Sequence, residues 1–280
     1  MLYEQIQETI HFIRSKTTST PQEGIILGTG LGNLIEEIQI ETEIDYEDIP
    51  HFPRSTVKSH QGKLIFGKLG GKAVVAMAGR FHYYEGYSMK QVTFPVRVLK
   101  FLGVNRLFIS NVSGSTNPDY LAGDIVFVKD HINFQPENPL RGINDVRLGP
   151  RFPDMLKTYD RTLIEQAKKI AQEANIRFHE GVYFALQGPN LETPAEYNFI
   201  HRVGGDLVGM STVPEVIVAR HSGMAVFVAS VVSNQCYPIE SITETSIEEV
   251  IEVARVAEPK LRLIVKSLVT EVATEENDKF

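Results

Sequence analysis

Short apolar runs, each ending in a loop of small or polar residues, constrain this chain most. The clearest spans residues 73–78 and reads as a buried strand. It runs straight into Gly79, Arg80, Phe81, His82, Tyr83, Tyr84, Glu85, Gly86 and Tyr87. In α/β proteins the chemistry sits where strands end. Arg80 is a planar, permanently charged fork of donors suited to phosphate or carboxylate. If the segment stays extended, His82 and Tyr84 share its face. The plain alternative is a surface loop whose aromatics pack and whose arginine makes a surface ion pair.

Other runs follow the same plan. Residues 24–27 open into Gly28, Thr29, Gly30, Leu31, Gly32 and Asn33, and a helix is expected to about residue 38. That turn offers backbone N–H groups to an anion. It fails the dinucleotide fingerprint, because Asn33 stands where the third glycine belongs, which weakens an oxidoreductase reading. Residues 43–62 read as loop. Residues 64–69 and 72–78 form a hairpin turning at Gly70 and Gly71. A helix is predicted over 93–102, then a strand over 106–110 ending in a small-residue turn at 111–115. Further strands are expected at 124–128, 181–186, 207–210 and 225–232, and helices at 2–14 and 160–173. Residues 134–153 form a long loop. Thr193 with Glu196 and Thr212 with Glu215 have capping-box spacing. Ser246 opens a long final helix, expected to kink or break at Pro259.

Strand ends thus carry Thr29, Arg80 with His82, Asn111, Glu192, Ser211 and Asn234. One such loop means little; six define a cleft along the edge of an α/β sheet. Taken singly, Glu192 could be a charge favoured by a helix N-terminus, Asn234 a turn residue and Ser211 a cap. The length of 280 residues fits one large α/β domain, with residues 1–22 as N-terminal helix and linker and 274–280 as a frayed tail. A net charge of −7 argues against nucleic acid as a partner. No run approaches the roughly 18 apolar residues of a membrane span. The single Cys236 excludes an internal disulfide, and no Cys/His cluster has metal-ligand spacing. These features predict a soluble cytoplasmic protein.

The chain resembles the trimeric purine nucleoside phosphorylases that prefer 6-oxopurines. The resemblance rests on residues 49–55, 79–87, Gly123 with Asp124, 130–133, 138–142, Gly188 with Pro189, Glu192 with Thr193, and 209–221. It covers nearly everything from Gly24 to the last helix. It implies a single-domain α/β fold, a twisted mixed sheet that is partly barrel-like and flanked by helices. It implies cleavage of the N-glycosidic bond by inorganic phosphate as co-substrate, with neither metal nor organic cofactor, in a homotrimer. Matched by motif, Thr29, His60, Arg80, His82, the Val112 N–H and Ser211 resemble the phosphate site. Tyr84 and Met210 resemble ribose contacts. Glu192 and Asn234 resemble base contacts and, with His82, the catalytic set. Tyr183, Leu191 and Ile247 fall among nucleoside-binding positions, and Phe152 matches an aromatic lent to the neighbouring subunit.

Three departures stand out. Val112, Ser113, Gly114 and Ser115 replace a smaller Ala-Ala-Gly-Gly turn. Leu191 replaces a phenylalanine near the base, and Ile247 replaces a histidine that reads the ribose 5′-hydroxyl. The first two bear on base packing and turnover, the third on the 5′ substituent. The alternatives are therefore a 5′-methylthio-nucleoside phosphorylase and a non-catalytic purine or nucleoside binder.

Overall fold

The computed structural model describes residues 1–29, 32–54 and 61–271. The expectations placed on Gly30, Leu31, His60 and the tail at 274–280 lie outside the described residues. A nine-stranded mixed sheet carries the fold: β1 (Glu23–Ile26), β2 (Gln39–Asp45), β3 (Lys63–Leu69), β4 (Lys72–Ala78), β5 (Arg106–Ser115), β6 (Ile125–Asn133), β7 (Phe178–Ala185), β8 (Leu207–Gly209) and β9 (Ala225–Gln235). The flanking helices are α1 (Leu2–Lys16), α2 (Met89–Leu102), α3 (Arg161–Glu173), α4 (Pro194–Arg202), α5 (Val213–His221) and α6 (Ile247–Glu271).

The strand order is β2-β3-β4-β1-β5-β8-β7-β6-β9, and β9 pairs back onto β5. The last five strands of that order therefore close on themselves as a small barrel, from which β1, β4, β3 and β2 extend as an open sheet. β5 is the seam between the two. It runs parallel to β1 on one side and to β9 on the other, and its last two residues pair antiparallel with β8. Strands covered on both faces need apolar residues throughout, which is why β4 after Lys72 and the first half of β9 read as apolar runs, as do β1 and the first half of β5 beyond the buried ion pair of Glu23 with Arg106.

The hairpin at Gly70 and Gly71 forms as expected, both glycines having positive φ (56° and 83°) as a tight hairpin turn demands. The box at Thr193 also forms: Thr193 Oγ1 accepts from the Glu196 N–H while Glu196 returns to the Thr193 N–H. Ser246 and Glu249 exchange the same pair of bonds at the start of α6.

Several expectations are corrected. Residues 111–115 are not a turn but the second half of β5, paired with β9 through a one-residue register shift between Ser113 and Gly114. Their polar side chains look out of place in a strand only until their partners across the barrel are counted. Residues 39–45, partly assigned to a loop, form edge strand β2, in which only Ile44 is buried, so no alternation marks it. The helix expected after Asn33 is a 3₁₀ segment, Gly32–Glu37. α2 begins earlier than predicted, capped by Ser88 with Gln91. α6 passes through Pro259 unbroken. Its buried face continues across the proline from Ala254 and Ala257 to Leu261, Ile264 and Leu268, and that burial outweighs one missing backbone bond.

Candidate active site

The barrel mouth opens beside the C-terminal end of β4 and the second halves of β5 and β9. The cleft there holds about 860 Å³ including its open mouth, within the roughly 300–1,000 Å³ typical of small-molecule sites. It collects Thr29, Arg80, His82, Tyr84, Val112, Leu191, Glu192, Met210, Ser211, Asn234 and Ile247. These residues come from the ends of five strands and the starts of two helices.

Arg80 follows β4 and is 1% exposed. Its Nη1 donates to Ser211 Oγ (3.0 Å) and Thr212 Oγ1 (2.9 Å), and its Nη2 donates to the Ser110 carbonyl. Glu215, in the first turn of α5, places a carboxylate oxygen 3.3 Å from Nη1. Burial pushes the Glu215 pKa up, and Arg80 opposes the shift. The Thr212–Glu215 capping box is therefore a misreading. Thr212 has φ 70° and makes no side-chain cap bond, because its hydroxyl serves Arg80 and Asn111 instead. Gly28 lets the turn bearing Thr29 press against β5: a Cβ there would come within 2.6 Å of the Ser110 carbonyl.

His82 stays extended and its ring stacks on Tyr84, centroids 4.7 Å apart. The Glu85 carboxylate accepts from the His82 backbone N–H (2.7 Å) and lies 3.1 Å from Nδ1. Burial nonetheless lowers the His82 pKa, with Glu85 opposing the shift, so the ring is neutral near pH 7. Nδ1–H then faces Glu85, and Nε2 is an acceptor. Burial also pushes the Tyr84 hydroxyl up to about 12.

At the other end of the cleft, Asn234 lies on β9 rather than in a loop. Its Oδ1 accepts from Ser233 Oγ (2.6 Å), and its Nδ2 donates to Cys236 Sγ (3.3 Å). The buried Cys236 thiol is pushed up to about 12, so it remains a thiol. Glu192 precedes α4, beside Tyr197, and desolvation raises its pKa. Tyr197, Ser233, Thr245 and Val250 complete the wall and were not anticipated.

Two anticipated residues are not in this cleft. Tyr183 is fully buried behind Gly209, where a Cβ would overlap the tyrosine hydroxyl. It shapes the wall and does not face a ligand, which corrects its assignment as a nucleoside contact. Phe152 is 87% exposed on the long loop and borders a separate groove with Arg141, Arg151 and His131. His60 lies outside the described residues. Of the residues sequence reasoning missed, Thr212 and Glu215 carried a signal that fitted a cap equally well. Asn111 was noted as a strand end without a role. Among the described residues, no group of His, Cys, Asp and Glu is arranged to hold a metal ion, and no helix is long and apolar enough to cross a membrane.

A buried guanidinium ringed by hydroxyls at one end of a cleft, with a carboxylate and an amide at the other, defines a site for an anion and a polar heterocycle together. Residues 23–270 match the phosphorylase superfamily model. Purine nucleoside phosphorylase 1 of Bacillus subtilis (strain 168) is 48% identical over 268 residues, spanning 96% of this chain and 98% of that protein. The Bos taurus purine nucleoside phosphorylase is 45% identical, spanning 96% of each. Among solved structures, the Schistosoma mansoni purine nucleoside phosphorylase in complex with inosine superposes with a TM-score of 0.92 at 39% identity, covering 97% of this chain and 98% of that one. Isoform 2 from the same organism, in complex with cytosine and ribose-1-phosphate, gives 0.93 at 43% identity and 97% of each chain. This chain belongs to the purine nucleoside phosphorylase family.

Proposed function

We propose that the cleft performs phosphorolysis of purine ribo- and deoxyribonucleosides, inosine and guanosine foremost, releasing the free base and the pentose 1-phosphate for purine salvage. The observation that carries the reading is Arg80, buried with Ser211 at one end of the same cleft that holds Glu192 and Asn234 at the other. Phosphate binds at Arg80, Ser211, Thr29 and the Val112 N–H, with His82 Nε2 accepting a phosphate O–H. Tyr84 and Met210 flank the ribose between the two ends.

The nucleoside bond breaks through an oxocarbenium-like transition state, with negative charge building on the departing purine. Asn234 donates to the base at O6 or N7, and ionised Glu192 accepts from N1–H. The Asn234 contact strengthens as the base becomes anionic, so it lowers the barrier more than it tightens ground-state binding, while Glu192 selects and orients the base. Phosphate, held in line, is the nucleophile, and no protein nucleophile, metal or organic cofactor takes part. His82 keeps the correct protonation state at the anion.

We further infer a homotrimer in which Phe152 covers the neighbouring subunit's cleft. Phe152, Ile143, Val146 and Leu156 all stand exposed on the loop between β6 and α3, an apolar strip that a second copy would bury. A cytoplasmic location fits the single buried thiol at Cys236. The test is hypoxanthine release from inosine with and without phosphate. Release that requires phosphate supports the reading, and tight inosine binding without release replaces it with a non-catalytic binder. Light scattering at assay concentration checks the trimer, and a fully active monomer refutes it.

A further inference from the structure

The hydroxyl groups behind Arg80 fix one another's directions. A serine or threonine hydroxyl has one hydrogen to give and two lone pairs to receive. Ser230 Oγ gives its hydrogen to Asn111 Oδ1 at 2.5 Å. The 2.6 Å contact between Ser113 Oγ and Ser230 Oγ must then use the Ser113 hydrogen. The Asn111 amide, held by that acceptor bond, turns Nδ2 to Thr212 Oγ1 at 2.9 Å. Arg80 Nη1 donates to the same oxygen. Both lone pairs of Thr212 are now taken, so its hydrogen goes to Ser211 Oγ, 3.0 Å away. Ser211 Oγ receives a second hydrogen from Arg80 Nη1, which fills its acceptor capacity. The Tyr183 hydroxyl, buried behind Gly209, is the neighbouring acceptor that competes for the Ser211 hydrogen, and in the resting geometry it makes no well-formed hydrogen bond with it. The Ser211 hydrogen is left pointing into the cleft.

We propose that Ser230, Asn111 and Thr212 are positioning residues for phosphate: a one-way hydrogen-bond chain from β9 through β5 to α5 that turns the Ser211 hydroxyl outward before the anion arrives. The proposal rests on the phosphorylase reading; Ser230 and Thr212 do not line the cleft, and Asn111 forms part of its wall. A donor already aimed costs nothing to reorient when phosphate binds, and successive bonds in one direction polarise each other. The chain also accounts for Thr212. A β-branched residue at φ 70° is a strained conformation. It persists here because two donors, Arg80 and Asn111, hold its hydroxyl in that place. The opposite orientation of the Asn111 amide would draw the Thr212 hydrogen to Asn111 and turn Ser211 back onto Thr212, leaving no donor for the anion.

Ser230→Ala is the decisive variant, because Ser230 is fully buried on β9 and does not line the cleft. It releases the Asn111 amide and so randomises the Ser211 hydroxyl. The KM for phosphate should rise about tenfold, the equivalent of one hydrogen bond of about 1.4 kcal/mol, while the KM for inosine stays within about twofold. Ser230→Thr, which keeps the hydroxyl, should restore the phosphate KM. In a Ser211→Ala background the Ser230→Ala change should move the phosphate KM by less than about twofold, since the donor it aims is already gone. A merely structural role would raise both constants or act equally in the two backgrounds, and either result overturns the chain. If Ser230→Ala does not fold, Thr212→Val, of the same shape, must show the same split between the two substrates. Wild-type protein that cleaves no nucleoside in phosphate refutes the phosphorylase reading; wild-type cleavage with an unmoved phosphate KM in these variants refutes the chain alone.

Discussion

Arg80 Nη1 lies 3.3 Å from the Glu215 carboxylate, and the two side chains are 1% and 4% exposed. The cation proposed to attract phosphate is thus already faced by a buried carboxyl group in the resting protein. A pair this deep contributes little net stability, yet removing one partner strands a charge. Arg80→Ala should lower kcat/KM for phosphate by about tenfold or more, reflecting a charge-assisted contact of about 1.5–3 kcal/mol. It should also destabilise the fold, by about 3–5 kcal/mol if Glu215 stays ionised. Adding Glu215→Gln should recover the melting temperature and leave phosphate use impaired. Steady-state kinetics at varied phosphate, alongside thermal unfolding, separates the two effects. An unchanged phosphate dependence in Arg80→Ala removes Arg80 from the site.

That pair also marks the limit of what the sequence discloses. The hairpin at Gly70 and Gly71 and the cap at Thr193 are local devices, decided by residues three or fewer apart, and they form as read. Thr212 and Glu215 have the same local spacing as a cap, but Arg80, far away in the chain, claims both side chains. Ser113 and Asn111 look like turn residues until Ser230, across the ladder on β9, supplies their partner. β2 escaped because an edge strand exposed on most of its length leaves no alternation. The cleft itself was legible because five of the strand ends contributed a distinctive side chain, whereas Tyr183 was not, since facing the cleft or backing it depends on one residue of register.

Glu192 sets a pH dependence. Burial raises its pKa above the ordinary 4.5, and in the proposed base contact the ionised form accepts from N1–H of a 6-oxopurine far more strongly than the protonated form does. Affinity for hypoxanthine should therefore be full above the raised pKa and fall as the pH drops through it, at a midpoint higher than an ordinary carboxylate would give. Glu192→Gln should weaken binding and abolish that acid limb. Calorimetric titrations across the acid range check this. A midpoint at or below 4.5 would separate Glu192 from base recognition.

Asn234 is the residue expected to set base choice. Its Oδ1 is occupied by Ser233 and one Nδ2 hydrogen by Cys236, which leaves the second Nδ2 hydrogen as a donor for the base. A donor there suits a 6-oxo group; a carboxylate suits a 6-amino group. Asn234→Asp should raise the adenosine-to-inosine ratio of kcat/KM by about tenfold or more, because each mismatch leaves a buried polar group unpaired. A ratio unmoved by the substitution, measured with both nucleosides at saturating phosphate, shows that Asn234 does not read position 6.

Ile247 is the residue expected to set preference at the 5′ end. It opens α6, is 59% exposed, and lines the cleft with Thr245 and Val250. The exchange of bonds between Ser246 and Glu249 fixes the helix start around it, so a substitution at 247 changes the side chain without moving the backbone. Isoleucine cannot donate to a ribose 5′-hydroxyl, and a site without that donor loses the penalty against substrates lacking the hydroxyl. Its apolar surface instead favours 5′-alkyl or 5′-alkylthio groups by about 0.8 kcal/mol per buried methylene, which is the observation that keeps a methylthio-nucleoside specificity in play. 5′-Deoxyinosine should be cleaved within about tenfold of inosine, a gap of at most about 1.4 kcal/mol, and Ile247→His should widen the gap in favour of inosine. The measurement is the ratio of kcat/KM for the two substrates in each protein. A wild-type preference for inosine well beyond tenfold transfers the role to the neighbouring hydroxyl of Thr245, whose bond to the Thr243 carbonyl is long at 3.3 Å. Thr245→Val should then remove the preference that Ile247 cannot provide.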